Sequence, residues 1–153
     1  MRRVIVIATV LAILTFVFAP EARAQGGPRW RGSGGWGPGS QFGRLYDPKT
    51  VETISGEVVK IDWITPARGM SAGVHLIVKT EKEEVPVILG PQWYIENQDV
   101  KIETKDKLEI KGSRVTVQGK PALIAAEVKK GAEILRLRDE SGVPVWSGWR
   151  KSL

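Results

Sequence analysis

Val51-Glu52-Thr53-Ile54-Ser55-Gly56-Glu57-Val58-Val59-Lys60-Ile61-Asp62-Trp63-Ile64 reads as one long strand with a fault in its interior. β-Branched and aromatic residues dominate it, as a pleated, half-buried surface favours. Ser55-Gly56 interrupts the run, and a glycine inside a strand signals a bulge or a sharp bend. A bent first strand can serve two sheets at once, which is how a small barrel turns its corner.

Outward from this strand the punctuation is regular. Thr65-Pro66-Ala67-Arg68-Gly69-Met70-Ser71-Ala72 is a loop, and Val74 to Thr80 alternates as a second strand. Glu81-Lys82-Glu83 turns into a third, Val85 to Leu89. Gly90-Pro91 opens a short helix over 91–98, with Pro91 suited to its first turn. Lys107 to Val117 is a strand whose apolar parity shifts at Gly112-Ser113, so that one extra residue at the bend returns both halves to the core. Gln118 to Pro121 turns, Ala122 to Lys129 follows as a strand, and Ala132 to Arg138 closes the series. Three strands, a helix and two strands with a trailing segment predict an all-β domain with one short helix. The architecture expected is a small five- to six-stranded OB-fold-like barrel, with an open sandwich or SH3-like barrel as the alternative.

The ends of the chain have a different character. Arg2 and Arg3 precede an apolar run of 15 residues, Val4 to Phe18, and Ala22-Arg23-Ala24 follows it. That is the build of a cleaved secretory signal peptide over 1–24, and the run is shorter than the roughly 20 residues of a spanning helix. No membrane span is expected after cleavage, and the location expected is periplasmic or secreted. Cleavage removes Arg2, Arg3 and Arg23 against Glu21, so the net charge falls from +6 to +4. This excess suits solubility or an acidic partner rather than a dedicated nucleic-acid surface. Residues 25–43 hold eight glycines and no apolar period, so a disordered linker is expected there, read as a spacer or, from Trp30 between Arg29 and Arg31 with Trp36 following, as a sticky arm. The folded domain is expected over 44–150, including a Trp-rich tail.

Catalytic chemistry finds little to use. The chain has no cysteine and one histidine, His75, which excludes thiol chemistry, Cys-ligated zinc and a Ser-His-Asp set with a second candidate base. His75 falls on a strand, on the side opposite Val74, Leu76 and Val78. Glu57, Asp62, Glu83, Glu84 and Glu96 are dispersed among basic residues as a solvated surface would have them. No enzyme activity, metal or cofactor is expected. OB barrels bind across strands two and three and the adjoining loops. Those loops supply Arg68 and Lys120, but the strands lack the aromatic platforms that stack bases, which argues against nucleic acid. The candidate ligand-binding residues are Arg68, His75, Lys120, Trp146, Trp149 and Arg150. Trp146 and Trp149 either fold back over a barrel end or form an exposed aromatic-Arg patch.

Gly90-Pro91-Gln92-Trp93-Tyr94, Lys111-Gly112-Ser113-Arg114-Val115, Gly119-Lys120-Pro121-Ala122, Ala125-Ala126-Glu127-Val128 and the Pro144 to Arg150 tail resemble the MamS/MamX domain of magnetosome proteins. The resemblance covers roughly 50–150 and implies an OB-like domain outside the cytoplasm. It also implies an accessory role, which in the magnetosome members concerns iron-mineral formation. Some members carry a C-x-x-C-H haem motif, which this chain lacks. The expected function is a non-enzymatic periplasmic module that binds a protein of the periplasm or envelope, or a small ligand. The alternatives are an accessory to extracytoplasmic iron or haem redox chemistry or biomineralisation, and single-stranded nucleic-acid binding.

Overall fold

The computed structural model describes residues 34–148. The expected signal peptide, residues 25–33 of the expected linker, Trp149 and Arg150 lie outside the described residues.

The long first strand does bend to serve two partners. β1 (Val51–Ile64) pairs through Val51–Glu57 with β4 (Lys107–Val117), and through Glu57–Ile64 with β2 (Gly73–Lys79). Its register slips at Val59, three residues beyond the Ser-Gly step where the sequence places the irregularity. Gly56 meets another need: a Cβ there would collide with the Lys79 carbonyl oxygen, so only glycine lets β1 and β2 cross this closely.

β2 pairs antiparallel with β3 (Glu84–Pro91), and β4 with β5 (Lys120–Lys130). A parallel contact between β3 and β5, at Val87↔Leu123 and Ile88↔Ile124, closes the circuit β1-β2-β3-β5-β4-β1. β6 (Glu133–Arg136) adds to the outer edge of β5. The domain is thus all-β, six strands in ring-like pairing with short helical pieces. The parity shift of β4 coincides with a slip of its ladder, but the extra residue is on the partner strand rather than at the β4 bend where the sequence places it. The ladder to β5 slips by one residue between Lys111 and Gly112, and both Ile110 before the slip and Ser113 after it are buried. The extra residue sits on β5 at Ala126. Gln118 and Gly119 both have positive φ, giving a two-residue hairpin that starts β5 at Lys120, two residues earlier than the sequence indicates. The helix between β3 and β4, α2, is a single turn (Gln92–Ile95), shorter than expected because Pro91 still belongs to β3. Tyr94 and Ile95 on it are buried.

β3 and β5 are buried on both faces: Val87, Ile88 and Leu89 on one, Ala122 through Ala126 on the other. A ring hides only inward-facing residues, so a second layer covers the outside. That layer corrects the expected linker, because residues 34–43 are part of the fold. Trp36 and Phe42 are both 1% exposed and stack at 5.1 Å. α1 (Gln41–Leu45) is started by Ser40, whose side chain accepts from the Gly43 amide. Of the glycines that suggest disorder, Gly43 is needed for contact instead, because a Cβ there would collide with the Pro38 carbonyl oxygen. The Trp36 ring lies against Gly73, where a Cβ would collide with it. Trp146 lies against Gly90 in the same way, 2.7 Å from where a Cβ would stand.

Trp146 itself is 1% exposed, in a 3-10 turn over Val145–Gly148. Its indole N–H donates to the Trp36 carbonyl oxygen at 2.8 Å, tying the two ends of the described chain together. Arg138 lies 5.0 Å from the Trp146 ring centre and donates to the carbonyls of Leu89 and Ala125. Burial pushes its guanidinium down to about 9, so it remains a cation at neutral pH. Phe42 meets His75 edge-on at 6.2 Å, and burial lowers the His75 pKa against the opposing pull of Asp62.

Two outcomes follow from this layer. Trp146→Ala removes a fully buried ring and leaves the Trp36 carbonyl unpartnered, so urea denaturation is expected to show a loss of about 3–5 kcal/mol. His75 is the only histidine, and its folded-state pKa lies below the unfolded value of about 6.5. The unfolded chain therefore binds the proton more readily, so stability is highest above that pH and falls as pH drops below it. Thermal melts of the wild type are expected to shift downward between pH 7 and 5, and those of His75→Gln to stay nearly level.

Candidate functional site

The residues chosen from the sequence do not converge on one place. Arg68 is exposed on the loop after β1, and Lys120 is exposed at the start of β5. Neither joins an ion pair among the described residues. His75 is half-buried under Phe42, with its Nε2 sealed from solvent and without a hydrogen-bond partner among the described residues. Trp146, chosen as a candidate ligand contact, is a core residue: the fold-back alternative holds, because the ring is needed to roof Gly90 and Arg138. Trp149 and Arg150 lie outside the described residues. The outer face of β2 and β3 is occupied by the chain's own Trp36, Phe42 and Trp146.

What remains open is one mouth of the ring. Trp63 stands opposite Val74, and Ile61 opposite Leu76, in the β1–β2 ladder. Residues directly opposite share a face, so Trp63 belongs to the inward row. It lies one residue from the end of β1, however, where the core stops, and is 58% exposed. Beneath and beside it is a cleft of about 280 Å³. Val74, Leu76 and Leu89 line it from the strands, and Ile95, Val100 and Ile102 from α2 and the segment leading to β4. Glu96, Lys101 and Glu103 stand at its edge. Lys101 donates to the Glu96 backbone carbonyl at 2.7 Å, so its ammonium is held to the chain. Glu96 and Glu103 form no ion pair among the described residues. The site is an aromatic lip and an apolar floor with a rim of mixed charge, fit to hold an apolar side chain.

The sequence contained the signal for this cleft. Ile61 and Trp63 alternate with Lys60 and Asp62, which puts the tryptophan in the core row at a strand end. The apolar wall from Val100 and Ile102 is not visible there, since both sit in a segment without period. A larger groove of about 720 Å³ opens at the far end of β2. Its lysines Lys79, Lys107 and Lys129 alternate with Glu57, Glu81 and Glu109, so it has neither a net field nor an apolar floor. Among the described residues no three of His, Cys, Asp and Glu gather as a metal cage, and no helix is long and apolar enough to cross a membrane.

Comparison with curated proteins finds no match. Residues 50–135, from the entrance of β1 to the end of β6, match a known family that spans the whole strand ring and the Trp63 cleft. By that match the chain belongs to the MamS/MamX magnetosome protein family.

Proposed function

We propose that the protein is an exported, non-enzymatic accessory module with an OB-like fold, which docks a protein partner of the periplasm or envelope through the Trp63 cleft. The observation that carries this reading is the placement of Trp63: an inward-row tryptophan left 58% exposed above an apolar floor. Solvent is a poor environment for such a ring, and tryptophans half-covered by apolar neighbours are frequent anchors of protein interfaces.

The circuit β1-β2-β3-β5-β4, with a helix between β3 and β4, supports the OB reading. An OB module of the nucleic-acid type would present the outer face of strands two and three, and here Trp36, Phe42 and Trp146 take that place. The position of His75 under Phe42, away from the cleft, supports a binding rather than a catalytic role. The basic, apolar leader supports export. Membership of a magnetosome family supports work beside an iron mineral or the redox proteins that serve it.

The reading is tested by capture from envelope extracts of the source cells, with the retained proteins identified by mass spectrometry. Wild type and Lys120→Ala are expected to retain the same defined partner, and Trp63→Ala to lose it by about tenfold or more, as truncation of a central aromatic anchor does. Retention that is indifferent to Trp63 would remove the cleft from the function.

A further inference from the structure

We propose that the cleft takes an extended peptide of the partner, which adds as a strand to the open edge of β1 over residues 60–64. The inference rests on the reading of the cleft as a binding surface, and names the conformation and side-chain pattern that it recognises. On the side of β1 that faces β4, pairing ends at Glu57, opposite Lys107. Val58 still has partners there: its amide donates to the Asp106 carbonyl at 2.9 Å, and its carbonyl accepts from the Lys105 amide at 2.7 Å. The chain then leaves this edge. Lys105 has a φ of 71°, and a turn closes over 103–106, with the Asp106 amide on the Glu103 carbonyl and the Glu103 amide on the Asp106 carboxylate. From Lys60 to Ile64 the ladder to β2 is therefore the only backbone pairing of β1 among the described residues. A strand directs its backbone groups alternately to its two sides, so about half of those over 60–64 face the open side. An unpaired row of amides and carbonyls is a template for one more strand.

The surroundings of the edge favour that occupant. Exposed edges are commonly blunted by lysine, proline or a bulge. Here the slip at Val59 and the cation of Lys60 both stand at the inner end, and Lys60 pairs with Asp62 at 3.2 Å. Ile61, Asp62, Trp63 and Ile64 follow with neither lysine nor proline. Of the seven large apolar residues exposed among the described residues, Val59, Trp63 and Ile64 belong to this one stretch, a clustering that marks an interaction surface. An added strand places its side chains in register with β1. Those opposite Ile61 and Trp63 share the inward face and enter the cleft of about 280 Å³, while the one between them, opposite Asp62, turns to solvent. Five residues at about 3.3 Å each cover the edge. The recognised pattern is thus an extended apolar-polar-apolar segment, held by main-chain bonds and chosen by its two alternate side chains.

The experiment selects binders to the wild type from a phage-displayed library of random decapeptides, after passage over Trp63→Ala. The selected sequences are expected to converge on apolar residues two apart. Two synthetic copies of the strongest binder, N-methylated on alternate amides in opposite phase, then separate main-chain from side-chain recognition. One phase is expected to weaken binding about tenfold or more, because its methyl groups replace the protons donated to β1, and the other to leave binding nearly unchanged. Hydrogen exchange followed by NMR is expected to find alternate amides of 60–64 fast in the free protein and slowed about tenfold or more by the peptide. Apolar residues three and four apart would overturn the proposal in favour of a helix, and so would a library that yields no binder. Equal tolerance of both methylation phases would remove the added strand. Capture that still depends on Trp63 would in that case keep the cleft as a side-chain pocket, so the two readings fail separately. Sedimentation of the wild type alone is expected to show a monomer. A dimer that protects the same amides would overturn the peptide as occupant and assign the edge to a second copy.

Discussion

The hydrogen bond from the Trp146 indole to the Trp36 carbonyl, across 110 residues of chain, is the constraint on which the outer half of the structure depends. It holds two rings against two glycines, and through them it covers β2 and β3, of which β3 makes the parallel contact that closes the strand circuit. It also makes Arg138 tolerable. A buried guanidinium with no carboxylate beside it is costly, and here two carbonyl acceptors and the face of Trp146 offset that cost. Remove the ring, and the cation loses its cover as the sheet loses its roof. The chain has no disulfide to substitute for this closure.

Closure of one face leaves apolar surface open at one end of the ring. With Trp36, Phe42 and Trp146 seated on the outside of β2 and β3, the exposed apolar cleft is at the mouth of the ring, where the inward row of β1 and β2 runs past the core. Trp63 is exposed for that reason: the strand that bends to join two neighbours continues beyond both its β4 partner and the packed interior. The same bend that closes the ring therefore creates the lip of the cleft.

The strand order was legible in the sequence, and so was the presence of faults in the β1 and β4 ladders, because alternation and glycine report directly on backbone pairing; the slip of the β2–β3 ladder between Val74 and His75 was not. Even so, Gly56 announced a bend whose slip falls at Val59, since the glycine answers a close approach and the extra residue is absorbed where the β4 pairing ends. The terminal layer was not legible. Trp36 and Phe42 sit among glycines without period, and composition alone reads such a stretch as disordered. Their partners, Gly73, Gly90 and Trp146, are distant in sequence and carry no local sign of the contact. The candidate ligand residues met the same difficulty: the sequence left Trp146 either folded back or exposed in a tail, and its burial depends on a tryptophan 110 residues upstream.

The family match ends where this layer begins. It covers residues 50–135, which include the ring and every residue that lines the cleft, while Trp36, Phe42, Arg138 and Trp146 all lie beyond its limits. The ring is thus the shared framework, and the cover on its outer face is supplied by flanking segments. Framework and cover meet at the two glycine floors, at the carbonyls of Leu89, Ala125 and Ser71, and at the ring contacts of Phe42 with His75 and of Trp146 with Tyr94. A side chain at Gly73 or Gly90 would exclude the indoles without disturbing the ladders, because each ladder depends on backbone groups and the indoles depend on bare Cα atoms. Whether the outer face of such a ring is open or closed is therefore set by those two positions and by the tryptophans that reach them. In this chain all four are in place, and the outer face is closed.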